Sequence, residues 1–369
     1  MKKNKILIAG NMVNQGFVTA RELRKRDMDV QLLMEKNPKL TADPAYLDPN
    51  LKNNYPDWIN IFDKSNKNWK FEVIRIMKKF DLIHAFVEFP IFASFSGKPF
   101  ISHSQGADFR ELSTSKSLRG FLLRRAYKKS KIIIYTQPDY WKINEKILNE
   151  KGIFVPIIWD KTDWPRFEKT EKNSKLTIFH PANLDFIGKK NQIFIEGFEK
   201  FIKKFPEAHL IIVDRGIDSE KTHELVEKLK IKNFTEFVDG PLDKIKMAEF
   251  YSKSDIIADQ FGVGSMGSVA LESMIYEKPV IIYIDQESHR KSYGSVPPVS
   301  CAKTPSEVFD VLVQLKEEKY RIKIGKELRT WFDEYHSLEK ITNRISTIYD
   351  SIEKGYDINK TREEISKNL

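Results

Sequence analysis

The chain has 369 residues, of which 41% are hydrophobic and 31% are charged, with 25 Phe and 6 Trp. This composition excludes an intrinsically disordered chain, and the length exceeds what one hydrophobic core usually serves, so we expect two globular domains. The 62 basic and 52 acidic residues leave a net charge of +10, which favours anionic partners without choosing among phosphates, nucleic acid and lipid.

Cysteine content and apolar runs indicate the compartment. The single cysteine, Cys301, excludes an intrachain disulfide and a cysteine-based zinc cluster, so a reducing compartment fits best. The apolar start at residues 6–9 is too short for an export segment and predicts a first strand. The longest apolar stretch is interrupted by His84 and Glu88 and cannot span a bilayer. We therefore expect a cytoplasmic protein that meets a membrane only from the side.

In the first half of the chain, short β-rich runs alternate with amphipathic segments, as is typical of βαβ units and a mostly parallel sheet. The predicted strands are residues 5–9, 30–34, 82–86, 100–103, 131–135 and 154–158. The predicted helices between them are residues 17–25, 69–79, 116–129 and 141–149. This half predicts one doubly wound α/β domain.

The second half repeats the plan and predicts a second domain of the same kind. Its strands are expected at residues 176–180, 209–213, 235–238, 256–259 and 280–284. The polar stretch 160–175, which contains a proline, suits a linker. A helix is expected over 328–353, and residues 359–369 are expected to be frayed. The predicted boundaries are therefore 1–165, 166–335 and 336–369, the last being a C-terminal helix.

The strongest local motif is DQFGVGSMGSVALE at residues 259–272, between a predicted strand and a predicted helix. Gly262, Gly264 and Gly267 allow the backbone to approach a phosphate, and the positive end of the helix attracts its charge. Glu272 falls about two turns into the helix, where its carboxylate can accept hydrogen bonds from two ribose hydroxyls. The alternative is a glycine turn that only lets the helix pack on the sheet.

A second candidate is the loop of residues 180–190, which follows the first strand of the second half. In a parallel sheet such a loop points toward the ligand crevice. Lys189 and Lys190 can neutralise a diphosphate as it becomes a leaving group. The alternative is a solvated lysine pair at a helix start, although the helix dipole disfavours cations there.

The loop GNMVNQG at residues 10–16 links the first strand to the first helix. It lacks the GxGxxG spacing of dinucleotide folds, and no acidic residue closes the second strand, so an NAD site is disfavoured. The side chains of Asn11, Asn14 and Gln15, beside Gly16, suit hydroxyl recognition. Ordinary turn chemistry is the alternative for them.

His103, Asp108 and Arg110 lie within eight residues after another predicted strand. A histidine at a strand end is often structural, but the clustered charges and the intervening glycine favour a site in which His103 binds or polarises a hydroxyl group. Asp108 and Arg110 are expected either to contact a substrate there or to shape the loop.

The segment between Lys116 and Lys131 holds seven basic residues and no acidic one, with apolar residues at roughly helical spacing. Such a helix can lie on anionic lipid, or it can simply be solvated. No nucleic-acid partner is predicted, because no nucleic-acid-binding module is present.

Together, these motifs resemble the retaining glycosyltransferases of family 4, and the resemblance covers nearly the whole chain. The order of the lysine loop, SDII at residues 254–257, the glycine turn, ALESM at 270–274 and KPVI at 278–281 is similar to that family's C-terminal domain. The resemblance implies the GT-B fold: two Rossmann-like doubly wound domains facing across a cleft, with a C-terminal helix returning to the N-terminal domain. The N-terminal domain would bind the acceptor, and the C-terminal domain the nucleotide sugar.

In this resemblance Glu272 matches the second glutamate of the E-x7-E motif and would hold the donor ribose, and Lys189 matches the lysine at the donor diphosphate. Gly264 stands where the first glutamate is expected. Sugar contacts would then come from Gln260, Ser265 or backbone amides of the turn.

Other parts of the resemblance concern the same donor and the acceptor. Met266 lies in the turn predicted to bind the donor, and the arginine usual shortly before the lysine is absent, so the clamp would rely on Lys189, Lys190 and the helix terminus. In the first domain, residues 10–16 are similar to the family's flexible glycine loop, and His103 to its active-site histidine.

The resemblance implies sugar transfer from a nucleotide diphosphate donor to a hydroxyl of a glycan or lipid-linked acceptor, with retention by front-side attack. No metal and no cofactor besides the donor substrate are predicted, since no DxD pair closes a strand. A sugar-nucleotide epimerase or a phosphorylase on the same fold is a less favoured alternative. A non-catalytic nucleotide-sugar or glycan-binding subunit also stays open because of Gly264.

Overall fold

The computed structural model describes residues 4–52, 54–167 and 175–367. The chain divides into two compact units, which we name the N-terminal unit (Met1–Asp163 with His336–Leu369) and the C-terminal unit (Trp164–Tyr335). Most of the predicted linker, residues 168–174, lies outside the described residues.

The N-terminal unit is built on a seven-stranded sheet in which every strand pair is parallel. Its strands are β1 (Ile6–Ala9), β2 (Val30–Glu35), β3 (Ile59–Phe62), β4 (Leu82–Phe86), β5 (Phe100–Ser104), β6 (Ile132–Tyr135) and β7 (Gly152–Phe154). Its first helices are α1 (Gln15–Arg24), α2 (Trp69–Met77), α3 (Phe89–Ala93), α4 (Leu118–Lys129) and α5 (Trp141–Lys151). The order β3-β2-β1-β4-β5-β6-β7 reverses between β1 and β4, where ligands bind in such sheets.

The C-terminal unit contains a six-stranded parallel sheet. Its strands are β8 (Leu176–His180), β9 (Ala208–Asp214), β10 (Thr235–Asp239), β11 (Ile256–Ala258), β12 (Val280–Ile282) and β13 (Ser300–Cys301). Its helices are α6 (Asn191–Ile202), α7 (Ser219–Lys228), α8 (Lys244–Lys253), α9 (Ser268–Ile275), α10 (Gln286–Tyr293), α11 (Pro305–Leu315) and α12 (Glu318–Tyr335). The order β10-β9-β8-β11-β12-β13 reverses between β8 and β11, so the lysine loop and the glycine turn flank the reversal.

The last two helices, α13 (Leu338–Glu353) and α14 (Ile358–Lys367), belong to the N-terminal unit. Ile341, Ile345 and Ile348 of α13 are buried in the same core as Ile8 and Phe86 of the sheet. This confirms the predicted return of the C-terminal helix to the N-terminal domain and, with the two parallel sheets, the predicted α/β class.

Several element predictions were wrong. The edge strands β3 and β13 were missed, and residues 155–158 follow β7 without pairing as a strand. The helix predicted over 328–353 is interrupted at His336, whose ring bonds the Ile157 carbonyl at 2.9 Å. There the Ser337 side chain caps the start of α13 by accepting from the Lys340 amide.

The prediction of a frayed C-terminus was also wrong over the described residues, because α14 extends to Lys367. The Arg362 guanidinium donates to the carbonyls of Leu148, Asn149 and Gly152 at 2.8–3.0 Å. These carbonyls lie at the C-terminal end of α5, where a cation is favoured by the helix dipole. The contact ties α14 to the rest of the unit.

Candidate functional site

The loop after β8 is held by a chain of buried hydrogen bonds. His180 Nδ1 lies 3.0 Å from the Ala258 carbonyl oxygen, and its Nε2 lies 2.9 Å from Asn191 Nδ2. Asn191 Oδ1 in turn accepts from the Asp185 amide at 2.8 Å. Burial lowers the pKa of His180 to about 4, so the ring is neutral and can donate through Nδ1 while it accepts at Nε2. This chain fixes the loop that carries the two lysines.

The lysine loop and the glycine turn are bound to each other through their backbones. The Phe261 amide donates to the Lys189 carbonyl oxygen at 2.7 Å. A Cβ atom at Gly262 would overlap the carbonyl oxygen of Gly188. Gly262 is therefore required for contact between the two loops.

The two lysines differ in their surroundings. Lys190 is exposed and has a left-handed backbone (φ 55°) immediately before α6. Lys189 is half-buried, and its charge acts on the carboxylate of Asp259. Lys189 is therefore the lysine associated with the buried charges of the turn.

Asp259, which sequence reasoning did not select, directly follows β11, is only 1% exposed and has its carboxylate at the start of α9. The amides of Gly267 and Ala270 donate to its carboxylate, whereas Oδ2 has no hydrogen-bond partner among the described residues. Burial raises the pKa of Asp259, and Lys189 and the two amides oppose that shift. Two amides predicted to meet a phosphate are thus already bonded to a side chain.

Glu272 lies in α9 and is almost completely buried. The Tyr251 hydroxyl donates to its Oε2 at 2.6 Å. Burial raises the pKa of Glu272 to about 8; Tyr251 and Arg215 act to lower it, and Asp259 acts to raise it. Its predicted contact with a ribose remains a prediction.

Arg215 was also missed by the sequence analysis. It directly follows β9, so it lies at the same edge of the sheet as the lysine loop. Its Nη2 donates to the Pro181 carbonyl oxygen at 2.9 Å, and its Nε is buried with no partner among the described residues. An arginine immediately after the carboxyl end of a buried strand was the signal that could have found it.

Gly264 has a left-handed backbone with φ 77°. It forms an isolated parallel bridge with Ile284, and its carbonyl oxygen accepts from the Asp285 amide at 2.8 Å. L-residues rarely adopt this conformation. The backbone conformation at position 264 therefore suits a glycine.

The rest of the glycine turn combines buried and open positions. Ser265 and Met266 are buried, and the Ser265 carbonyl oxygen accepts from Gln260 Nε2 at 2.5 Å. In contrast, no atom would lie within 4 Å of a Cβ atom at Gly267. The turn thus has open space at Gly267, immediately before α9.

In the N-terminal unit, the predicted hydroxyl-binding amides are bonded within the fold. Asn11 accepts from the Phe17 amide at 2.8 Å and donates to Asn14. Asn14 Nδ2 donates to backbone carbonyls of the segment after β2, and Gln15 makes two hydrogen bonds to the backbone of Ile158. A Cβ atom at Gly16 would overlap the Gly10 carbonyl oxygen. These bonds are the turn chemistry that the sequence left open.

Asp108 and Arg110 are likewise engaged. Asp108 accepts from the Gly106 amide at 2.9 Å and from the Tyr127 hydroxyl at 3.0 Å, and is buried. Arg110 forms a two-pronged ion pair with Asp139 at 2.6 and 2.7 Å. Both side chains hold the turn that follows β5.

His103 has a different environment at the end of β5. The ring is buried against His84 of β4, and its Nε2 has no hydrogen-bond partner among the described residues. Of the predicted candidates in this unit, His103 thus has a free polar atom, whereas Asn11, Gln15 and Arg110 are bonded within the fold.

The predicted basic segment is helix α4. Leu118 and Phe121 on this helix are 74% and 55% exposed, although both are large and apolar. Lys128 and Lys129 in its last turn are also exposed. Across the described ranges, every helix is too short or too polar to cross a bilayer.

Residues 162–291 match the protein-family model described as glycosyl transferases group 1. The match covers the lysine loop, the glycine turn and α9. It confirms the resemblance predicted from those motifs. No curated protein sequence matches the chain.

Solved structures show the fold of the whole chain. Anabaena HepE, determined in complex with UDP and glucose, aligns with TM-score 0.72 at 14% identity over 94% of this chain and 100% of that chain. Sucrose-phosphate synthase from Thermosynechococcus elongatus aligns with TM-score 0.68 at 13% identity over 96% and 100%. WaaG, a glycosyltransferase involved in lipopolysaccharide biosynthesis, aligns with TM-score 0.63 at 13% identity over 93% and 99%. The chain shares the GT-B fold.

Proposed function

We propose that this chain, a GT-B protein that matches the glycosyl transferases group 1 family over residues 162–291, transfers a sugar from a nucleotide diphosphate to a hydroxyl group of a glycan or lipid-linked acceptor. One observation carries the proposal. Lys189 acts on the carboxylate of Asp259, and Arg215 acts on that of Glu272, so distant parts of the sequence place two cations and two buried acids at the carboxyl edge of one sheet. Two cations beside a buried acid suit a diphosphate linked to a ribose.

The donor would bind along the loops after β8, β9 and β11. Lys189, Lys190 and Arg215 would contact the diphosphate, and Arg215 would replace the arginine that is absent before the lysine. Glu272 would accept hydrogen bonds from the ribose. The open space at Gly267 leaves room for the phosphates to approach the turn. Because HepE was determined with UDP and glucose, we propose a UDP-hexose as the first donor to test.

The donor sugar would lie beside the remaining residues of the turn. Gln260, Gly262, Ser265 and Met266 border the left-handed Gly264, and backbone amides there can bind sugar hydroxyls. Without a carboxylate at Gly264, donor preference would depend on the shape of this turn.

The chemistry follows from where charge develops. The acceptor hydroxyl oxygen forms a bond to the anomeric carbon on the face from which the diphosphate departs, and the bond from that carbon to the phosphate oxygen breaks. The hydroxyl proton passes to the leaving phosphate. Because the new bond forms on the face from which the diphosphate departs, the anomeric configuration is preserved. Lys189 and Arg215 stabilise the negative charge of the leaving diphosphate, a role that a metal ion has in other enzymes.

The acceptor would bind to the N-terminal unit, with His103 as its polar contact. The product would be a polysaccharide or a glycoconjugate. Asn11, Asn14, Gln15, Asp108 and Arg110 would shape the loops without contributing free side chains, because their polar groups are bonded within the unit.

Helix α4 has features that suit contact with the cytoplasmic face of an anionic membrane. Leu118 and Phe121 are exposed, and a recess of about 430 Å³ near the other end of the helix is lined by Lys98, Lys129 and Lys131. Apolar side chains flanked by lysines bind to interfaces that contain anionic lipid. Sedimentation with vesicles tests this contact; equal binding to neutral and anionic vesicles would contradict it.

Calorimetric titration with UDP tests the donor site. Glu272→Ala should weaken binding by about 1 to 3 kcal/mol, because the ribose hydroxyls lose their acceptor. Glu236→Ala on β10 is the matched control, since Glu236 is half exposed and lies on the outer strand of the same sheet. An unchanged affinity in folded Glu272→Ala would contradict the ribose assignment.

Product analysis separates the alternatives. A transferase releases the nucleoside diphosphate and attaches the sugar to an acceptor, whereas an epimerase returns a different nucleotide sugar without an acceptor. A non-catalytic binding subunit would bind the nucleotide and release nothing.

A further inference from the structure

A hydrogen-bonded chain runs from helix α13 to the carboxyl end of β5. The Tyr349 hydroxyl oxygen lies 2.7 Å from Nδ1 of His84, and Nε2 of His84 lies 2.8 Å from Nδ1 of His103. The chain ends at Nε2 of His103, which has no partner among the described residues. All three side chains are buried. Groups that are 265 residues apart in sequence are therefore connected to one ring nitrogen.

Packing fixes the two rings in this arrangement. The Phe86 ring stacks on both, with centroid distances of 4.7 Å to His84 and 4.2 Å to His103. His103 is the register partner of Phe86 across β4 and β5. Since the rings lie in the core under α13, their nitrogens cannot exchange partners without disturbing the packing.

Both histidines are neutral. Burial lowers the pKa of His84 to about 3, and burial and His84 hold the pKa of His103 well below its usual range. Each ring therefore carries one proton, on Nδ1 or on Nε2. The remaining question is which nitrogen holds it.

Two arrangements satisfy both contacts. In the first, the Tyr349 hydroxyl donates to Nδ1 of His84, the Nε2–H of His84 donates to Nδ1 of His103, and the His103 proton is on Nε2. In the second, His103 Nδ1–H donates to His84, His84 Nδ1–H donates to the Tyr349 oxygen, and His103 Nε2 carries a lone pair.

The tyrosine decides between them. In the second arrangement His84 donates to the Tyr349 oxygen and so cannot accept the hydroxyl proton. The tyrosine has no other hydrogen-bond partner among the described residues, so that proton has no acceptor. Burial raises the pKa of Tyr349 well above its usual range, so the hydroxyl keeps its proton. The second arrangement leaves two buried polar groups without partners, the Tyr349 hydroxyl proton and the Nε2 lone pair of His103, whereas the first leaves one, the Nε2–H of His103. Because each buried polar group without a partner is costly, the first arrangement is favoured.

We propose that Tyr349, acting through His84, keeps the proton of His103 on Nε2 and so makes His103 a hydrogen-bond donor to a substrate oxygen. Tyr349 and His84 are then positioning residues. The identity of that oxygen, on the transferred sugar or on the acceptor, rests on the proposed function. The proton position does not.

Nitrogen-15 NMR of the ring nitrogens in the full-length protein tests the proposal, together with nucleoside diphosphate release. The wild type should show both histidines protonated at Nε2. Tyr349→Phe removes the hydroxyl and should give His103 a mixed population with Nδ1–H. Turnover should fall by about 10-fold, the scale of one lost hydrogen bond. Tyr356→Phe, which removes an exposed hydroxyl just after α13, should change neither measurement.

Three results would overturn the proposal. The first is a wild-type proton on Nδ1 of either histidine, which needs no variant and decides the question even if Tyr349→Phe does not fold. The second is a Tyr349→Phe variant with unchanged protonation. The third is changed protonation with wild-type turnover, which removes the donor role of His103. If the wild type turns over no nucleotide sugar, the proposed function fails, while the NMR result still decides the role of Tyr349.

Discussion

The carboxyl edges of the two sheets have similar polar residues and different hydrogen bonding. In the N-terminal unit, Asn11, Gln15 and Arg110 bond to backbone or to an acid within the unit. The buried atoms that lack partners at the end of β5, among the described residues, belong to His103 and Gln105, which carry no charge. In the C-terminal unit, Asp259 Oδ2 and Arg215 Nε are buried without partners among the described residues. Buried polar groups normally have partners, so those that lack one mark where a ligand can bind. The sequence shows which loop residues are polar, but it does not show which of them lack a hydrogen-bond partner in the folded protein.

The largest expected effect is in the C-terminal unit. Lys189→Met removes the half-buried cation near Asp259 and the proposed diphosphate, so turnover should fall on the order of 100-fold to 1,000-fold. Nucleoside diphosphate release at saturating donor measures this. Lys203→Met is the control, because Lys203 is an exposed lysine at the end of α6, the helix that follows the lysine loop. Similar turnover in both variants would remove the contrast between the two edges.

A change at Arg110 in the N-terminal unit should alter stability instead of turnover. Arg110→Met breaks the two-pronged ion pair with Asp139, which should cost about 1 to 3 kcal/mol of unfolding free energy. Denaturant unfolding measures the loss. The dissociation constant for UDP should stay the same, and a clear change in it would show that the contrast between the two edges is wrong.

A smaller effect is expected on the pH dependence of stability, through Glu272 in the C-terminal unit. The pKa of Glu272 is about 8 in the folded protein and 4.5 in the reference state, so folding is favoured by the bound proton. That contribution is fully present below about pH 4.5 and is lost as the pH rises to about 8. Glu272→Gln has a neutral side chain at every pH, so it should not show this loss of stability as the pH rises.

Thermal unfolding at about pH 5 and about pH 8.5 measures the difference between the proteins. The wild type should lose more stability than Glu272→Gln over this interval. Each kcal/mol of that difference should lower the unfolding temperature by roughly 2 to 4 °C. The other titrating groups are common to both proteins and cancel. Parallel pH curves would contradict a protonated Glu272.

Much of the fold could be predicted because strands buried on both faces are continuous apolar runs. The strand over residues 82–86 and that over 176–180 were predicted with the observed bounds. β3 and β13 were missed because they are edge strands of only four and two residues. The break at His336 depends on a contact with Ile157, which no local pattern shows.

The candidate site was predictable where its residues lie in a recognisable sequence motif, as Lys189 and Glu272 do. Gly262 to Glu272 form one motif and could be read together, although Gly264 needed the backbone angle to be explained. Arg215 reaches the same place from a different strand, and His84 depends on Tyr349 in α13. Those associations are created by packing between distant segments.

The most direct test of the central claim is nucleoside diphosphate release from a panel of nucleotide sugars, with and without extracted glycan and lipid acceptors. We expect acceptor-dependent release from at least one donor, loss of that release in Lys189→Met, and a product with retained anomeric configuration. Tight nucleotide binding without release from any donor would contradict it.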